Sequence, residues 1–174
     1  KIHNLKLTKN ITQDKNLISV FFSSSNIKDT QHKEINYDNI LKLITPLKQH
    51  YKFQIINYGE SKQQLENFLN EHKFLMKPIE KEIYKNLANL SETLLNSRIS
   101  IMTSCSEAYI SAALGVKTVI IYNKSFTSNW MWANCDSNFK NIWFQDLYCY
   151  PFKKIKEQIT FDSFPDLEKI IEKK

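Results

Sequence analysis

The chain has 174 residues, a formal net charge of +6 and 42% hydrophobic residues, which suits one globular domain with a sizeable core. No run approaches the roughly 18 apolar residues of a membrane-spanning helix, and no charged-then-apolar leader follows Lys1. All but one of the 24 basic residues are lysine; with Arg98 alone and the lysines scattered, the guanine-reading and stacking contacts of a nucleic-acid reader have little basis.

Strand-like and helix-like segments alternate along the chain. Leu17–Phe22 is a short apolar run that opens into Ser23-Ser24-Ser25 and reads as a buried strand ending in a loop. Tyr37, Ile40, Leu41, Ile44 and Leu47 recur at helical spacing, and Pro46 is expected to kink or shorten that helix. Lys52–Tyr58 is a second strand, stopped by Gly59; Ser61 then opens a helix with Leu65, Phe68 and Leu69 on one face. After Pro78, a helical stretch turns Ile83, Leu87, Leu90, Leu94 and Leu95 to one side. Ile99–Met102 is a third strand, Glu107–Leu114 a short helix with Gly115 as its left-handed cap, and Thr118–Tyr122 a fourth strand. Residues 123–140 read as irregular, Asn141–Phe144 as a short fifth strand, and Ser163–Lys173 as a final helix. Continuous apolar strands alternating with helices predict an α/β doubly wound, Rossmann-like domain with a parallel sheet covered on both faces. Ligands of such sheets bind at the carboxyl ends of the strands, near a switch in strand order. The loops beginning at Ser23, Gly59, Thr103 and Asn123 are therefore the ones to inspect.

The chain has only two glycines, Gly59 and Gly115, so a glycine-rich phosphate loop is excluded. A phosphate is still expected at the N-terminus of the helix after Ser104–Ser106, where unpaired N–H groups and the helix dipole favour an anion. Ser104 and Ser106 either cap that helix alone or cap it and hold a ligand. Glu107 in the first turn either offsets the dipole or takes part in chemistry. Tyr109 is expected to pack under the sheet edge. The aromatic group Trp130, Trp132, Phe139, Trp143 and Phe144 is either a packed surface or a platform for a base or an acceptor. The three cysteines, Cys105, Cys135 and Cys149, form no CxxC pair, so a structural zinc site is not expected and a reduced, cytosolic chain is the simpler reading. Cys105 lies near a helix N-terminus, which lowers a thiol's pKa, but none of the four histidines is placed beside it by the sequence.

The most informative stretch is Ile99–Trp130: a strand, a polar turn, a small-residue helix ending in Ala113-Leu114-Gly115, and a second strand. Here the chain resembles glycosyltransferase family 9, the ADP-heptose:lipopolysaccharide heptosyltransferases. In that family a strand is followed by Asp-Ser/Thr-Gly-Pro-x-His, then Ala-Ala-Ala-Leu-Gly, a Pro-Thr strand and a Gly-Pro-Thr turn. Ser111-Ala112-Ala113-Leu114-Gly115 matches the small-residue helix, and Ser125 takes the place of the turn threonine. Ser104, Cys105 and Ser106 stand where Asp-Ser/Thr-Gly is expected, Glu107 replaces the proline and Tyr109 the histidine. Lys33, Ile35, Asp38, Ile40 and Leu43 follow a second family pattern, and Gly59-Glu60 a turn that precedes a ribose-binding acid. Cys149-Tyr150-Pro151 is similar to a Cys-x-Pro-Cys segment whose second cysteine is Phe152 here.

The resemblance implies the C-terminal, donor-binding half of a GT-B glycosyltransferase, spanning 16–174, with 1–15 as the linker from an N-terminal domain. It implies a nucleotide-diphospho-sugar donor, a glycan or lipid-linked acceptor of lipopolysaccharide type, and no metal or other cofactor. The place implied is the cytoplasm, with peripheral contact at the inner membrane surface. Lys33 would touch a phosphate, and Ser25, Ser104, Cys105, Ser106 and Ser125 would line the donor site. Glu60 or Gln63 would face the ribose. No catalytic residue is assigned: the base that takes the acceptor proton belongs to the other domain. Two other readings stand beside this one. The first is a catalytically degenerate half that binds a glycan, a nucleotide or a partner protein. The second is a sugar-nucleotide epimerase, which needs acids and a histidine in the cleft.

Overall fold

A computed structural model describes residues 11–21, 37–57, 62–76, 87–103, 106–123, 147–155, 158–161 and 165–172. Among the described residues seven strands form one sheet in the order β3-β2-β1-β4-β5-β6-β7: β1 Asp14–Phe21, β2 Lys52–Asn57, β3 Leu75–Met76, β4 Ser97–Thr103, β5 Lys117–Asn123, β6 Leu147–Ile155 and β7 Gln158–Phe161. Every neighbouring pair is parallel except β6 with β7. The helices are α1 Tyr37–Ile44, α2 Lys62–Glu71, α3 Leu87–Asn96, α4 Ser106–Ala113 and α5 Leu167–Glu172. This is the expected α/β doubly wound domain.

Strand alternation sorts the core into two layers. Ile18, Val20, Phe53, Ile55, Ile99, Ile101, Val119, Ile121 and Phe152 turn to one face, under α1, α2 and α5. Phe21, Ile56, Met102, Ile120, Tyr122 and Leu147 turn to the other, under α3 and α4. Because both faces are covered, the central strands read as continuous apolar runs. Pro46 acts as expected: α1 stops at Ile44 and a 3-10 turn, Thr45–Leu47, carries the chain on. Gly115 closes α4 at φ 76°. Its N–H donates to the Ala112 carbonyl at 3.1 Å while that of Val116 donates to Ser111, also at 3.1 Å, which is a Schellman cap.

The α3/α4 face carries a buried polar rung. Gln54, Ser19, Ser100 and Thr118 stand level across β2, β1, β4 and β5. The Gln54 amide donates to the Ser19 hydroxyl at 2.7 Å and to the Ser97 hydroxyl at 3.1 Å. Ser19 and Ser97 also bond to each other, and Ser97 donates to the Thr93 carbonyl of α3 at 3.2 Å. Farther along, the hydroxyls of Ser111 and Thr118 pair at 2.8 Å. Side chains thus tie β1, β2, β4 and α3 in one group and β5 and α4 in another, and the Ser100 hydroxyl between them has no partner among the described residues.

The single arginine is committed to structure. Arg98 donates to the Lys15 carbonyl at 3.2 Å and to that of Ile171 at 3.0 Å, and the Lys117 ammonium donates to Ile170 at 2.9 Å. Both bases sit at strand starts and hold the carbonyl end of α5, where cations are favourable. Asp166 opens the same helix by accepting the Lys169 N–H at 3.2 Å.

Two sequence expectations change. Cys149 is disulfide-bonded, so the reading of a fully reduced chain is corrected: an odd cysteine count permits one bridge and one thiol, and folding brings distant positions together. Strands β3, β6 and β7 went unread, because β3 is two residues long and Pro151, Lys153 and Lys154 interrupt β6. Asn141–Phe144, read as a strand, lies outside the described residues, as does the aromatic group between 130 and 144. No helix among the described residues is long and apolar enough to cross a membrane.

Candidate functional site

The strand order reverses direction at β1: the chain passes from β1 through α1 to β2 on one side, and from β4 through α4 to β5 on the other. The two crossovers use opposite faces. Doubly wound sheets take their ligands in a crevice at such a switch point, which here falls at the carboxyl ends of β1 and β4. Among the described residues this edge consists of Phe21 of β1, Asn57 of β2, Thr103 of β4, Asn123 of β5 and the first turn of α4.

Three polar side chains are buried there: Thr103, Glu107 and Asn123, at 2%, 6% and 6% exposure. Thr103 follows Ile99 and Ile101 in the alternation of β4, and its Oγ1 has no hydrogen-bond partner among the described residues. An unmet buried hydroxyl costs about 1–3 kcal/mol; those of Ser91 and Ser100 in the core share this status, and Thr103 differs from them in standing at the carboxyl end of its strand. Glu107 is the second residue of α4, and its Oε2 accepts the Ser106 hydroxyl at 3.1 Å. The carboxylate lies at the positive end of the helix, where it offsets the dipole.

Gln63, the second residue of α2, follows the carboxyl end of β2; it is exposed and its amide donates to Asn67 Oδ1 at 3.0 Å. Ser106 is exposed at the start of α4. Both lie on the same edge of the sheet, as the sequence predicts. Ser25, Lys33, Glu60, Ser104, Cys105 and Ser125 lie outside the described residues. Thr103 and Asn123 are where two of the loops singled out from the sequence begin, although neither residue carries a motif of its own. Glu107 was noticed for its place in the first turn, but sequence gives no sign that it is buried.

Tyr109, at the position where the family carries histidine, packs against the α3/α4 layer. Burial raises its phenol above the usual 10.0. The buried polar groups at this edge are a hydroxyl, a carboxamide and a carboxylate. No group of three or more His, Cys, Asp or Glu among the described residues is placed to hold a metal ion. No family model, curated protein or solved structure matches the chain.

Proposed function

We propose that this domain binds a nucleotide-diphospho-sugar and serves as the donor-binding half of a glycosyltransferase of heptosyltransferase type. The observation that carries the reading is the unit β4–α4–β5. A strand ends at the switch point, and after Ser104 and Cys105 a small-residue helix closes on Gly115 before the next strand. That is the order of the resembled family's most informative stretch. On this reading the α4 N-terminus and Lys33 offset the charge that builds on the departing diphosphate. Ser25, Ser104, Cys105, Ser106 and Ser125 line the donor site, and Glu60 or Gln63 faces the ribose. The acceptor is a glycan or a lipid-linked sugar, bound with the help of an N-terminal domain. The place is the cytoplasm, at the inner membrane surface.

A specific observation favours a second reading. The histidine position holds a tyrosine packed into the apolar layer, and the proline position holds a buried carboxylate. A domain that keeps the binding crevice while lacking these family groups would bind the donor without turning it over.

Thermal melting with ADP, UDP, GDP and CDP tests the binding step common to both. A diphosphate held at about 100 times its Kd adds ~2.7 kcal/mol, or roughly 5–11 °C for a domain of this size. One diphosphate should stand out, and Lys33→Ala should abolish its effect. Equal melting with all four and without any would sink the proposal.

A further inference from the structure

We propose that the disulfide of Cys149 is a redox lock on this domain, one that adds stability without being needed for the fold. Cys149 is the third residue of β6, level with Ile120 of β5, which is level with Met102 of β4. It is half-buried at the margin of the layer formed by Ala108, Ala112, Val116 and Ile120. The bond therefore anchors on β6, which pairs with the antiparallel edge strand β7, at the layer on which α4 packs. The chain supplies two partners, Cys105 and Cys135.

Two features separate a lock from a scaffold. Small domains need disulfides when their core is too thin to hold them, below about 80 residues. Here a seven-stranded sheet carries an apolar layer on each face, so the native state does not depend on the bond. Partial exposure also leaves the bond within reach of a reductant. A dithiol opens it by exchange: its thiolate attacks one sulfur, and its second thiol then displaces the mixed disulfide. The protein bond takes up two electrons and two protons to give two cysteine thiols, and the reductant becomes a disulfide. The freed Cys149 thiol then lies against the apolar layer.

Opening a loop of about 14 or about 44 residues restores unfolded-chain entropy and should lower the melting temperature on the order of 10 °C. The chain is equilibrated in glutathione buffers of graded poise, its thiols are blocked, and it is mapped by peptide mass spectrometry and melted. The expected result is one cross-linked peptide holding Cys149, a folded reduced form at 25 °C, and a melting point that falls as the bond opens. Cys149→Ser should melt like the reduced chain and ignore the buffer. Of Cys105→Ser and Cys135→Ser, one should behave the same way and the other should keep the response. Cys149 blocked as a thiol under every oxidising poise would overturn the proposal. So would a melting point indifferent to the bond, or a reduced chain that is unfolded at 25 °C.

Discussion

Replacing Gln54 with alanine should cost the domain about 3 kcal/mol, most of it through the polar rung beneath the crevice. The side chain is buried and gives hydrogen bonds of 2.7 Å to Ser19 and 3.1 Å to Ser97. Two such bonds contribute about 1 kcal/mol each. Truncation also leaves a space of roughly 40 Å³, which adds ~1 kcal/mol at ~24 cal/mol per Å³. For a domain of this size the sum corresponds to a fall in melting temperature of about 6–12 °C. Gln54→Leu keeps the volume, removes the donor and leaves Ser19 and Ser97 bonded to each other, so it should cost about half as much. Melting followed by far-ultraviolet circular dichroism, with urea unfolding as the second measure, reads both variants. A Gln54→Ala shift under about 2 °C, or a leucine variant as damaged as the alanine one, would refute the assignment of the rung as a tie between β1, β2 and β4.

Two further outcomes follow from the structure. Gly115→Ala meets no atom within 4 Å, so its effect is purely conformational: an L-residue at φ 76° costs about 1 kcal/mol, and Gly115→Asn should cost less, as read by urea midpoints. Burial, then the Asp166 carboxylate and Tyr148, raise the phenol of Tyr150 above 10.0. Because the folded pKa is the higher one, the associated stability is present below pH 10 and is lost as pH rises through the raised value. Tyr150→Phe should therefore lose less stability than the parent chain between about pH 9 and 11, and identical alkaline profiles would refute the attribution.

Much of the fold is legible in the residues, and the exceptions have physical causes. Apolar runs such as Leu17–Phe21 and Val119–Tyr122 announce buried parallel strands because both sheet faces are covered. Pro46 and Gly115 announce helix ends because each restricts or permits one backbone geometry. β6 is hard to read because its outer half carries Pro151 and lysines, and its place in the sheet comes from pairing with β5 and β7 rather than from periodicity. The carboxyl edge as the place to look for a site follows from the βα alternation, and Gln63 and Ser106 stand in the first turns of the helices that leave that edge. What sequence could not give is burial. Nothing local marks Thr103, Glu107 or Asn123 as enclosed, since their enclosure depends on elements distant in the chain. Nor does the spacing of Cys149 from the other cysteines mark it as bridged.

The central claim is that a nucleoside diphosphate binds at the carboxyl edge of this sheet, and amide chemical-shift mapping of the labelled chain tests it directly. Adding the diphosphate selected by melting should move the signals of Phe21, Asn57, Thr103, Ser106, Glu107 and Asn123. Those of Lys52, Arg98, Lys117 and Leu147, at the opposite ends of the strands, should stay in place. Shifts confined to that opposite end, or no shifts at saturating nucleotide, would contradict the account.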